Sequence, residues 1–196
     1  MGTRGFVGFV VDGTEKIAYN QFDSYPDGLG VDVLEWLRSA AADVASLRER
    51  ATALRVVQSD TEPTAEDVER LAGFADLKVS TKDPREWYVL LRETQGEPAL
   101  MLQAGVIEDA SHFPLDSLFC EWGYLVDLDA ETFEVYQGFQ QSPHRKGRFA
   151  GRRGPMRAGL IGGAYRPVAL AKSWPLDKLP TREAFLSALG EGEDDE

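Results

Sequence analysis

Residues 5–22 read GFVGFVVDGTEKIAYNQF, two runs of strand-forming residues on either side of Asp12-Gly13. An Asp-Gly pair tolerates the positive φ angles of a two-residue turn, so this spacing predicts a β-hairpin. Alternation along the first run puts Phe6 and Val10 on one face and Val7, Phe9 and Val11 on the other. With both faces apolar, that strand belongs inside a sheet covered on both sides. Gly5 and Gly8 mark places where another segment approaches it closely.

Beyond the hairpin the period changes. A polar connection rich in Gly and Pro (residues 23–30, DSYPDGLG) leads to Leu34, Leu37, Ala41, Val44, Leu47, Ala51 and Leu54, spaced by threes and fours. That spacing predicts a long helix with a break near Ala40. Thr64 and Asp67 form a capping box for a second helix. Asp83, Pro84 and Glu86 open a third, ended by Gly96, and Pro98–Ala104 is a short fourth ended by Gly105. A period of two returns in LFCEWGYLVDLD (118–129) and TFEVYQGF (132–139), a second hairpin around Asp129-Ala130-Glu131. The stretch 164–174 (AYRPVALAKSW) is a fifth strand, placed at an edge by Pro167, and Thr181 caps a closing helix. The expectation is an α+β domain over residues 1–190: an antiparallel sheet of about five strands, two hairpins plus one strand, packed with four to five helices. Residues 191–196 (EGEDDE) carry five acids in six positions and read as a solvated, disordered tail.

Composition narrows the function. The 196 residues hold 33 Asp and Glu against 21 Lys and Arg, a formal charge of −12, which disfavours a general nucleic-acid binder. A hydrophobic share of 43% supports a packed core. One cysteine, Cys120, permits no internal disulfide and points to a reducing, cytoplasmic setting. No apolar run approaches the ~20 residues that span a bilayer, and Phe6–Val11 is too short and too soon followed by Asp12 to be a secretory leader. Only His112 and His144 are available and neither has a partner at zinc spacing. A calcium-loop register starting at Asp23 fails at Tyr25 and Leu34, so no metal is expected. No phosphate-loop or dinucleotide-binding pattern is present, and no cofactor is expected. Asp27 and Asp32 already neutralise the helix start that follows Gly28-Leu29-Gly30. A Cys120–His112 pair is disfavoured by the apolar setting of Cys120 between Phe119 and Trp122.

Two groups of residues remain. Arg4 begins one strand of the opening hairpin, while Tyr19, Asn20 and Asp23, with Ser24 and Tyr25, end its partner and the turn after it. Singly, each has a structural reading: an ion pair, a loop cap, a turn bond. Together they suit a polar small-molecule site at the hairpin mouth. As an enzyme the protein would be a hydrolase, with Asp23 as base or orienting acid and Arg4 as anion partner. Second, residues 142–159 (SPHRKGRFAGRRGPMRAG) carry Arg145, Lys146, Arg148, Arg152, Arg153 and Arg157 with no acid. They read as a long mobile loop, either solvated and satisfied by the acidic body, or clamping an acidic partner, an anionic ligand or a single-stranded nucleic acid.

The stretches TRGFVGF, YNQFDSYPDGLG, WYVLLRETQG and LFCEWGYLVDLDAETFEVY together resemble a family of uncharacterised proteins met in bacteria, phages and fungi. That resemblance covers Thr3–Gly30, Trp87–Gly96 and Leu118–Tyr136 and implies no activity. A looser likeness is to N-terminal-nucleophile hydrolases, whose opening hairpin bears a short residue followed by Arg, as Thr3-Arg4 does here; it implies an amide hydrolase. The sequence departs from that pattern at position 2, which is Gly.

Overall fold

In the computed structural model, which describes residues 2–154 and 165–190, the opening hairpin forms as β1 (Gly5–Val11) and β2 (Thr14–Asn20). Val11 pairs with Thr14 and Gly5 with Asn20. Asp12 and Gly13 take φ of 51° and 71°, the left-handed pair that a two-residue hairpin requires. The chain continues through α1 (Val31–Ala40), α2 (Val44–Ala53), β3 (Arg55–Val57), α3 (Ala65–Leu71), α4 (Trp87–Leu90), α5 (Pro98–Ala104) and β4 (Val106–Glu108). It closes with β5 (Trp122–Asp127), β6 (Thr132–Gln137), β7 (Ala169–Pro175) and α6 (Arg182–Leu189). Residues 191–196 and Arg157 lie outside the described residues.

Five strands lie in the order β2-β1-β5-β6-β7, giving the expected α+β architecture. The sheet is mostly antiparallel rather than wholly so, because β1 and β5 run parallel, with Gly5 opposite Trp122 and Val10 opposite Asp127. Burial explains that placement. Every residue of β1 and of β5 is buried, so both need cover on two faces and neighbours on two sides. The half-exposed β2 and β7 take the edges. Gly5 lies so close to its neighbours that an added Cβ would sit 2.3 Å from the Trp122 carbonyl oxygen and 2.7 Å from Ser24 Cβ.

The two faces of the sheet are covered differently. Val7, Phe9 and Val11 join Tyr124, Val126, Phe133 and Val135 beneath α1, α2 and α6. Phe6, Val10, Leu125 and Tyr136 on the opposite face meet two irregular segments, which contribute Ala110, Cys120 and Phe149. Outside the main sheet, β3 and β4 form a two-stranded parallel pair beside a third cluster that includes Leu71, Trp87, Leu90 and Val106. The Ala110 amide links this unit to the edge strand by donating to the Ile17 carbonyl at 2.9 Å.

Side chains set several boundaries. The expected break near Ala40 falls at 41–43, where the Asp43 carboxylate accepts from the Ser46 amide at 2.9 Å and starts α2 afresh. Thr64 and Asp67 form the anticipated capping box. The helix expected from Pro84 shrinks to α4. Asp83 turns its carboxylate onto the Arg85 amide and guanidinium, and Glu86 accepts from the Ser80 hydroxyl instead of closing a box. At the other end the Thr94 hydroxyl takes the Leu91 carbonyl at 2.8 Å, which tightens the chain into a short turn. Lys16 of β2 reaches the end of α2, where its ammonium donates to the carbonyls of Ala51, Thr52 and Leu54 at 2.9, 2.8 and 2.7 Å. Among the described residues no helix is long and apolar enough to cross a membrane.

Candidate functional site

The polar residues that follow the opening hairpin are brought together, and several of them use one another up. Asn20 is buried and donates its side-chain amide to the Phe22 carbonyl and, at 2.8 Å, to the Ser24 hydroxyl. Ser24 is fully buried, its amide donating to the Thr3 carbonyl at 3.3 Å and its carbonyl accepting from the Tyr124 hydroxyl at 2.9 Å. Asp23 sits in the left-handed region at φ 52° and stays exposed, with its carboxylate folded against Gly28 and its carbonyl accepting from the Leu29 amide. Asn20, Asp23 and Ser24 therefore build the strand-to-helix connection. Tyr25 stands out into solvent. Arg4 lays its guanidinium 4.7 Å above the Phe119 ring, beside Tyr19.

Tyr19 leads elsewhere. It lines a cleft of about 340 Å³ between the edge strand β2 and the β3–β4 unit, together with Trp87 and Tyr88 of α4, Glu108 of β4, and His112 and Phe113 beyond it. The Tyr19 and Phe113 rings meet edge to face with centroids 5.0 Å apart, and the Tyr19 hydroxyl donates to Gln21 Oε1 at 2.7 Å. Burial pushes the Tyr19 phenol up, the Arg4 guanidinium opposes that, and Tyr88 adds to it. Trp87 is held from behind: its indole N–H donates to the Thr61 hydroxyl at 3.2 Å, and the Arg55 guanidinium lies 5.5 Å from its ring centroid.

Two consecutive acids at the cleft are pushed in opposite directions. Burial raises the Glu108 carboxyl above the usual range, Glu86 nearby raises it further, and His112 partly offsets both. Burial also acts on Asp109, but the Ser111 amide at 2.9 Å, Gln58 Nε2 at 3.2 Å and the Ser111 hydroxyl at 3.2 Å outweigh it and hold that carboxyl low. The two adjacent carboxyls therefore sit in environments that act on them in opposite directions. The sequence carries this group as VIEDASHF, residues 106–113, a signal passed over because β4 has only three residues and the spacing matches no metal motif. Among the described residues no three His, Cys, Asp or Glu side chains converge to hold a metal ion.

The basic segment is built into the fold rather than hanging from it. Phe149 is fully buried against Phe6 and Tyr136, with centroids 5.9 and 4.9 Å away. Arg148 forks onto Glu134 through two 3.0 Å bonds and also pairs with Asp127. Burial alone would lower its pKa, yet the Glu134 and Asp127 bonds raise it. Arg152 grips both Glu15 oxygens at 2.7 Å and stacks 5.1 Å from the Phe149 centroid. Of the readings for 142–159, satisfaction by the acidic body describes Arg148 and Arg152, which pair with acids of β2, β5 and β6, while Phe149 packs into the sheet face. Arg145, Lys146 and Arg153 remain exposed, and Lys146 lines a second depression of about 360 Å³ with Gln137 and Gln140.

Cys120 is fully buried with its thiol directed at the Trp122 carbonyl, and burial raises its pKa well above the usual value, so it is a core residue. Thr3 is buried behind Gly2 and Phe22, and its hydroxyl has no hydrogen-bond partner. Comparison with known proteins finds no matching family model, no matching curated protein and no matching solved structure.

Proposed function

We propose that the protein binds a small molecule in the cleft beside Tyr19. The observation that supports this reading is the cleft's make-up: about 340 Å³ of space walled by four aromatic rings, with Glu108, His112 and Gln95 supplying the polar groups. Small-molecule sites have this size and this balance of apolar wall to few polar groups. The site keeps Tyr19 from the cluster read in the sequence, with Arg4 beside it, and leaves Asn20, Asp23 and Ser24 to position the connection. If the bound molecule is also turned over, Glu108 is the group placed to donate or accept a proton.

The test is a fragment screen by two-dimensional NMR on the full chain and on Ser59→Trp. Ser59 is exposed at the cleft's rim, so the larger ring blocks entry without disturbing the core. Fragments that shift the Trp87 indole and residues 107–113 in the parent, and no longer do so in Ser59→Trp, support the reading. Fragments that bind equally well to both proteins refute it.

A further inference from the structure

We infer that the ligand of this cleft is an organic cation, an ammonium group on an apolar or aromatic body, with the ammonium at Glu108 and the body against the rings of Trp87 and Phe113. The inference rests on the cleft being a small-molecule site and adds the charge and shape of what enters it.

Charge complementarity carries it. Glu108 is half-buried and lines a ring-walled space, with Asp109 next to it and Glu86 close enough to repel it. No hydrogen bond from the described residues engages the Glu108 carboxylate, whereas Asp109 is held by Ser111 and Gln58. A ligand that fills the cleft expels the water now available to Glu108. A neutral or anionic ligand would then leave that carboxylate buried without a partner, which is strongly unfavourable. A ligand ammonium pairs with it and also gains from the negative faces of the surrounding rings. His112 also lines the cleft and only partly offsets the raising effects of burial and Glu86 on Glu108. Arg4 and Arg92 do not line the cleft; Arg4 is engaged with the Tyr19 hydroxyl and Phe119, and Arg92 stacks 5.7 Å from the Tyr88 centroid. A bare metal ion is a poorer occupant, because among the described residues no three His, Cys, Asp or Glu side chains converge to hold one.

The test uses three probes of one size: benzylammonium, benzyl alcohol and benzoate, titrated into the isotope-labelled full chain at neutral pH and followed at the Trp87 indole and residues 107–113. Benzylammonium should bind at least about tenfold more tightly than benzyl alcohol, with benzoate weakest. Glu108→Gln should bring the cation preference below about twofold while benzyl alcohol still binds. Raising salt from about 0.05 to about 0.5 M on the unmutated protein should weaken the ammonium alone, a readout that does not depend on the variant folding. Equal binding of ammonium and alcohol, a preference for benzoate, or a cation preference untouched by both Glu108→Gln and salt overturns the charge assignment and leaves the cleft as a small-molecule site. If none of the three probes shifts the cleft residues, the small-molecule reading fails and this inference falls with it.

Discussion

Replacing Phe149 with alanine asks whether the basic segment is structural. The ring is fully buried between Phe6 and Tyr136, on a sheet face that no long helix among the described residues covers. Burying a phenylalanine removes about 150 Å² from water, which at about 25 cal/mol per Å² is worth about 4 kcal/mol. Alanine recovers little of that and leaves a cavity, so the expected loss is about 3–5 kcal/mol. Against a typical total of about 5–15 kcal/mol, such a loss is large. Urea unfolding of Phe149→Ala should show a much lower midpoint with an unchanged slope. Arg145→Ala, exposed a few residues away, is the control and should change stability by less than about 0.5 kcal/mol. A loss under about 1 kcal/mol for Phe149→Ala would mean the segment does not cover the sheet, and the assignment of its arginines to internal pairing would fall with it.

Arg148→Met should destabilise by about 3 kcal/mol at neutral pH, read as a lower urea midpoint, because it leaves the Asp127 and Glu134 carboxylates together without their cation. Glu108 has a folded-state pKa above its unfolded value of about 4.3, so its contribution is fully present below that pH and is lost as pH rises through the folded value. The melting temperature of Glu108→Gln relative to the parent should therefore rise as pH increases from about 4 to 8, and a flat difference would contradict the burial of this carboxyl. Lys16→Met removes the ammonium that holds three carbonyls at the end of α2 and should cost about 1–2 kcal/mol, read as faster amide exchange in the last turn of that helix.

The parts of the fold legible in the sequence are those written in short-range chemistry. Asp12-Gly13, the Thr64–Asp67 box, Gly105 and Thr181 each act within about four residues, and each element they delimit is present. Double-sided burial of β1 was legible too, because a strand apolar on both faces has one place to go. What it could not show was which strand would lie beside β1. The β1–β5 parallel pair joins residues more than a hundred positions apart, and no local pattern records direction. β3 and β4 escaped because three residues are too few to show alternation. The cleft proposed as a site was half legible for the same reason. Tyr19 was singled out because the hairpin placed it, whereas Trp87 of α4, Glu108 of β4 and His112 beyond it line the cleft only through the way the β3–β4 unit docks against the edge strand. That acids of the body could satisfy the arginines of 142–159 was legible; which acids do so was not, because strand pairing brings Glu15, Asp127 and Glu134 to one place, Glu15 from 137 positions before Arg152.

The central claim, a ligand site beside Tyr19, meets its most direct test in contacts between a bound molecule and the protein. With benzylammonium bound to the isotope-labelled chain, intermolecular nuclear Overhauser effects should connect the ligand's ring protons to those of Trp87, Tyr19 and Phe113. Effects confined to the apolar side chains already exposed at the surface, Phe22, Tyr25, Leu77 and Phe139, would contradict it.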